Sequence, residues 1–299
     1  MKKLLLLSAV MGCGFAQAQS YQFSQFFSTP LLTNPANTGY MDGPFRVASN
    51  FRSQGMQGST AYFTGYVGGD VSPLQQRLTQ GHKAGVGMYI MSDQSLAGAF
   101  QTNTVALSTA YHVGLDQYGE QTIGVGLQGS YNQRRLDYSR LTFENQYGPT
   151  GYNPGASPGE AFNTQTRNFF DVNAGVVYNL QAEDRAFFVG ASVYNILRHR
   201  EEVLPEEFRV GTRLMVQAGG QLFVGEYGKL YASLTHMNQT QASQTTVGAA
   251  YGLQLGDGDR NELSLGMWYR IKDALIPYLG YQRKGFGMGL SYDYTASQL

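Results

Sequence analysis

The groups that could do chemistry are few and scattered. Histidine occurs four times, at His82, His112, His199 and His236, with no His-x-x-x-His pair and no cysteine nearby. Zinc needs three or four donors converging at about 2.0–2.3 Å, so this spacing offers no metal site. Ser108 and His112 would share one face of a strand, but four residues of strand hold them about 13 Å apart, beyond the reach of proton transfer. The one Gly-x-Ser-x-Gly spacing, Gly155 to Gly159, falls inside a long Pro- and Gly-rich link and not at a strand-to-helix turn, so no nucleophile elbow is read. Gly124-x-Gly126 and Gly285-x-Gly287-x-Gly289 suggest phosphate loops only in isolation. A phosphate cradle needs a helix N-terminus directly after the glycines, and none follows either run. The sequence therefore predicts no catalytic residue, no cofactor and no metal. Twenty-one basic against twenty-one acidic residues leave net charge zero, which gives no electrostatic case for nucleic acid.

The elements that carry these residues read as strands. "IGVGLQGSYN" sets Ile123, Val125, Leu127 and Tyr131 against Gly124, Gly126, Gln128, Ser130 and Asn132. "VALSTAYHVGL" sets Val105, Leu107, Tyr111, Val113 and Leu115 against Ala106, Ser108, Ala110, His112 and Gly114. The same period of two runs through "VNAGVVYNL", "VGAAYGLQLG", "LSLGMWYRI" and "FGMGLSYDY". Thirteen strands are predicted, over 45–54, 59–70, 82–93, 99–115, 120–136, 168–181, 185–196, 208–224, 228–237, 242–256, 260–271, 274–283 and 285–294.

A soluble sandwich would also alternate. Two details favour a barrel in a membrane. The polar face is built from Gly, Ser, Asn and Gln rather than Lys and Glu, and tyrosines cluster near strand ends, where an aromatic girdle meets the interface. The amino terminus agrees: Lys2-Lys3, the apolar run Leu4 to Phe15 and Ala16-Gln17-Ala18 form a secretory leader with cleavage after Ala18. Lipidation at Cys13, the single cysteine, is the alternative, since "VMGC" loosely follows a lipobox. The expected architecture is all-β, a transmembrane antiparallel barrel of about 14 strands. It divides into a leader over 1–18, an N-terminal periplasmic or plug segment over 19–44 and a barrel over 45–299. Counted by parity, tight turns fall at one end and the longest links, 137–167 and 197–207, at the other. The first end is expected to be periplasmic and the second external.

One stretch breaks the rhythm. "YQFSQFFSTPLLTNPANTGY", Tyr21 to Tyr40, carries five aromatics and two prolines with neither period. Its residues Phe23, Ser24, Gln25, Phe26, Asn34, Pro35, Ala36 and Gly39 resemble the opening motif of the PorP/SprF family of Bacteroidetes outer-membrane proteins. "FRVASNFRSQ", with Arg46, Asn50 and Arg52, is similar to that family's next strand, and Ser291-Tyr292-Asp293 to its Gly-rich penultimate one. The resemblance runs from about Gln22 to Leu299. Family members usually continue into a last strand ending in an aromatic residue, so the expectation is either that a final strand is missing from this sequence or that a divergent segment closes the barrel.

The resemblance implies a non-enzymatic role in type IX secretion and gliding, with outer-membrane lipid around the barrel. The implied partners are a secreted adhesin, held through its C-terminal sorting domain, other components of the secretion system and a periplasmic peptidoglycan-binding lipoprotein. A porin or uptake channel for small solutes is the alternative.

Residues expected to meet partners are Phe23, Ser24, Gln25, Phe26, Asn34, Pro35 and Gly39 in the opening motif. Phe143, Tyr147, Tyr152 and Phe162 in one long link and Arg198 and Arg200 in the other join them. Flexible, solvated loops are the plainer reading of both links. Arg46, Arg52, Arg270 and Asp293 are expected as lumen charges that brace the barrel or line a channel. Phe23, Phe26 and Phe27 are expected to pack against the barrel's periplasmic end or to plug its lumen.

Overall fold

The computed structural model describes residues 23–41, 43–55, 62–73, 82–149, 151–153, 155–156, 164–197, 200–201, 208–209, 211–240, 242–255 and 261–295. Alternating sequence becomes one antiparallel sheet. Its long strands are β1 (Phe45–Gln54), β2 (Tyr62–Val71), β3 (Lys83–Ser95), β4 (Phe100–Gly114), β5 (Gln121–Leu136), β6 (Gln165–Gln181) and β7 (Arg185–Tyr194). They continue as β8 (Arg213–Val224), β9 (Gly228–Gln239), β10 (Ala242–Gln254), β11 (Asn261–Arg270), β12 (Ala274–Arg283) and β13 (Phe286–Ser291). Each pairs with its neighbours in chain order, and Tyr294–Thr295 adds a fourteenth segment against β12. That last piece keeps the register of β13: Tyr278 faces Ser291 and Leu275 faces Tyr294. The ladder is interrupted opposite Pro277, whose carbonyl accepts from Tyr292 N at 3.2 Å. Proline has no N–H to return that bond.

Burial is inverted relative to a water-soluble sheet. Along β4, His112 is 0% exposed while Leu107 is 64% exposed. Thr104, Ser108, Gln128, Ser130 and Asn132 are buried, and Val105, Val113, Val125, Leu127 and Tyr131 are exposed. Apolar side chains face out and polar ones face in, as hydrocarbon outside and a polar lumen inside require. No helix among the described residues is long and apolar enough to cross a membrane.

The strand connections sort into two ends. At the turn end they are 72–82, 115–120, 182–184, 225–227, 255–260 and 284–285. Gly119 and Gly225 there take φ of +74° and +70°, a conformation that glycine adopts without strain. Asp116 tightens its turn by accepting from the N–H groups of Tyr118, Glu120 and Gln121. At the loop end lie 55–61, 96–99, 137–164, 195–212, 240–241 and 271–273.

The two edges of the sheet, β1 and β13, both run from turn end to loop end. No main-chain ladder joins them among the described residues. They approach on the inner side, where Arg52 Nη2 of β1 is 3.0 Å from Asp293 Oδ2, just past β13.

Strand edges differ from expectation mostly by a few residues. The larger departure is at 208–224: Phe208–Arg209 pairs with Arg200–Glu201 as a separate small ladder, and β8 starts only at Arg213.

Candidate functional site

Segment 23–41 lies inside the curved sheet. Of its three short helical turns, Phe26–Ser28, Pro30–Thr33 and Pro35–Asn37, prolines start the last two, because a fixed φ and an absent N–H suit the first helical position. Asn34 is the hinge between those two. Its Oδ1 accepts from Ala36 N at 2.9 Å, and its Nδ2 donates to the Val176 and Ala191 carbonyls of β6 and β7 at 3.1 and 3.4 Å.

Around it the wall supplies hydrogen bonds from many strands. Gln128 Nε2 donates to Leu31 O, Tyr194 OH to Leu32 O and Ser192 Oγ to Thr33 O, at 2.9–3.0 Å. Such bonds each contribute about 0.5–1.5 kcal/mol net, and leaving buried groups unpaired would cost more. Phe23, Leu31 and Leu32 pack with Tyr66, Tyr89, Met91 and Ala106 of the wall.

The glycines of the lumen face form a bed for this main chain. A Cβ on Gly126 would lie 2.4 Å from Ala36 N and Pro35 C. One on Gly175 would meet Asn34 Oδ1, and one on Gly85 would lie 2.4 Å from Gly39 Cα. Gly39 itself has φ +72°. Of the Gly124-x-Gly126 run, Gly126 is therefore where backbone meets backbone, while Gly124 lies under the His112 ring.

Two charge clusters fix the segment's ends. At the turn end, Asp70 accepts from Arg46 Nε and Nη2 at 2.9 and 2.8 Å and from Gly39 N at 2.7 Å. Arg46 Nη2 also donates to Asn37 O at 2.9 Å. At the loop end, Asp293 takes Arg52 and Arg270 at 3.0 and 2.9 Å and the Ser24 hydroxyl at 2.6 Å. Arg270 also pairs with Asp273 at 3.0 Å. The four expected lumen charges thus fall into two separate groups, and Asp70, not singled out in the sequence, completes the first.

Ser108 and His112 do share a face, and both serve Thr38. Ser108 Oγ is 2.9 Å from Thr38 Oγ1, and His112 Nε2 is 3.2 Å from Thr38 O. His112 Nδ1 has no partner among the described residues, so no oriented triad exists there. No cluster of three or more metal-ligating side chains occurs among the described residues either.

The segment fills only part of the lumen. Beside it, between Phe27 and the walls of β6–β12, a cavity of about 490 Å³ remains, lined by Tyr40, Phe188, Tyr231, Glu262, Trp268 and Tyr278 among others. Phe27 contacts Trp268 and Tyr278 at centroid distances of 5.6 and 5.5 Å, and its ring is 43% exposed.

Of the loop residues, Tyr147 and Tyr152 set their rings 5.2 Å apart, tilted by 44°, across a two-residue ladder and are exposed. Gln146 Oε1 accepts from Phe143 N at 3.0 Å and so shapes the approach to that ladder. The Ser139 hydroxyl, 2.6 Å from Asp137, holds this loop carboxyl below its usual range, helped by the Ser139 N–H, Arg135 and Arg140. Phe162 and Arg198 lie outside the described residues, as do the side chains of Phe26 and Arg200.

An inverted, polar-cored sheet with its own chain inside it agrees with the sequence comparison. The profile of the type IX secretion system membrane protein PorP/SprF matches residues 15–299. The chain belongs to the PorP/SprF family. No curated protein matches it. Among solved structures it is similar to the beta domain of the Bordetella autotransporter BrkA, at 14% identity and TM-score 0.40, covering 84% of this chain and 98% of that one. It is also similar to the siderophore receptor PirA from Acinetobacter baumannii, at 6% identity and TM-score 0.38. There the match covers 84% of this chain and 52% of the receptor, about half its length. PorP/SprF membership makes this chain a membrane protein of type IX secretion.

Proposed function

We propose that this PorP/SprF protein is a non-enzymatic outer-membrane barrel that supports secretion or surface anchoring of a secreted adhesin, held through the adhesin's C-terminal sorting domain. In this reading the leader over 1–18 is removed on export. The loop end faces outward and the turn end faces the periplasm, where a peptidoglycan-binding lipoprotein and other secretion components dock.

The observation that carries the reading is the occupied lumen. Segment 23–41 is bonded to β1, β2, β4, β5, β6 and β7 and to Asp293, which favours a sealed scaffold over a pore for small solutes. Such a scaffold acts through its rims, and the exposed Tyr147–Tyr152 pair has the aromatic character of docking surfaces.

The test is capture from native outer membranes. Recovery of the barrel together with an adhesin sorting domain, reduced in a Tyr147→Ser/Tyr152→Ser double variant, is expected. Large steady conductance of the purified barrel in planar bilayers, with no partner retained, would favour the channel instead.

A further inference from the structure

Segment 23–41 has a direction in the lumen, and it is opposite to that of β1. Its later residues belong to the turn end. Gly39 N bonds Asp70, the next-to-last residue of β2, and Arg46, the second residue of β1, bonds Asn37 O. Lys83, the first residue of β3, lies 4.6 Å over the Tyr40 ring.

Its earlier residues belong to the other end. Ser24 bonds Arg270, the last residue of β11, and Asp293, beyond the end of β13. Arg52, which shares Asp293, is two residues from the end of β1. The midpoint agrees, since Ser28 bonds Asn50 halfway along β1. From Arg46 to Arg52 the strand rises about 20 Å, so the segment crosses most of the lumen's depth.

We infer that the segment spans the lumen with its amino-terminal end at the loop-bearing mouth, where that end forms one surface with the long loops. A segment lying outside the lumen would leave Ser24 away from Asp293, and one whose amino-terminal end stayed at the turn end would place Ser24 beside Arg46, but Ser24 bonds Asp293 and Arg270. The direction holds whichever way the barrel is oriented. Its exposure to the cell exterior rests on the proposed orientation.

Single added cysteines read this out, with the unmodified protein, whose one cysteine is Cys13, as background. Gln25→Cys, Met41→Cys, Tyr147→Cys (loop end) and Tyr118→Cys (turn end) are treated with a membrane-impermeant maleimide, on intact cells and after the outer membrane is permeabilised. Heat-modifiable migration confirms that each variant is folded. Gln25→Cys should label in the same condition as Tyr147→Cys, and Met41→Cys in the same condition as Tyr118→Cys. Labelling of Gln25→Cys together with Tyr118→Cys, or its protection in both conditions while Tyr147→Cys labels, overturns the inference. If Tyr118→Cys labels on intact cells and Tyr147→Cys does not, the proposed orientation fails. The inference is still decided by which of the two Gln25→Cys follows.

Discussion

The two sides of the lumen wall use glycine for different purposes. On the side built by β3–β7, Gly85, Gly126 and Gly175 clear space for the inserted segment, and the atoms that a Cβ would strike belong mostly to its main chain. On the side built by β10–β13, Gly248 and Gly266 lie under Trp268, and Gly280 and Gly289 lie under Tyr278. There the wall folds its own rings inward, and a cavity is left over. A side chain can turn aside from a new methyl group, whereas a packed main chain cannot. The first side is therefore a shaped berth and the second a tolerant lining.

Exchanging a small group for a larger one on each side is the sharpest way to break this contrast. Gly126→Val should destabilise the folded barrel by about 3 kcal/mol or expel the segment, because the groups it meets are backbone atoms. Loss of the heat-modifiable form, with protease cutting within 23–41, would report it. Asp70→Ala comes next, at about 2–3 kcal/mol, since it removes the carboxylate that Arg46 and Gly39 N share and leaves Arg46 only carbonyl acceptors. That figure is lowered from the fully buried case because the Arg46 side chain is 28% exposed.

At the loop end, a double-mutant cycle on Arg270 and Asp293 should give a coupling of about 1 kcal/mol in urea unfolding. Additive losses would remove Asp293 as the shared anchor. Gly280→Ala on the tolerant side should cost under about 1 kcal/mol. A loss equal to that of Gly126→Val would erase the distinction. An equally small change is expected from Phe27→Ala, under about 1 kcal/mol for a half-exposed ring. It should instead enlarge the cavity and raise residual conductance in planar bilayers.

The strands were legible because period-two alternation is a local property: β4 and β5 carry on the structure's two faces the same residues that the sequence separates. The Gly, Ser, Asn and Gln of one face also announced a sheltered polar interior. The berth was not legible. Asn34, Pro35 and Gly39 stood out by motif, but what they touch is set by pairings such as Asn34 with Ala191, 157 residues away, and no periodicity encodes these. Asp70 was missed because one acid at a strand end, after Gly68-Gly69, looks like an ordinary solvated charge. Tyr194, Ser192 and Gln128 were missed because a lumen donor carries no sign of its acceptor. Arg52, Arg270 and Asp293 were expected as lumen charges, but their meeting with one another and with Ser24 needed the curvature of the sheet.

The bond between Ser24 and Asp293 spans 269 positions of chain, and that distance sets an order on assembly. A segment threaded mouth to mouth cannot easily be pulled through a closed cylinder, so it must lie in the open trough while the hairpins add on one by one. Contacts of such long sequence separation form late and slowly. The Arg52–Asp293 contact between the two edges of the sheet is thus expected to form over a chain already in place. What is translated near the beginning is the last to be locked.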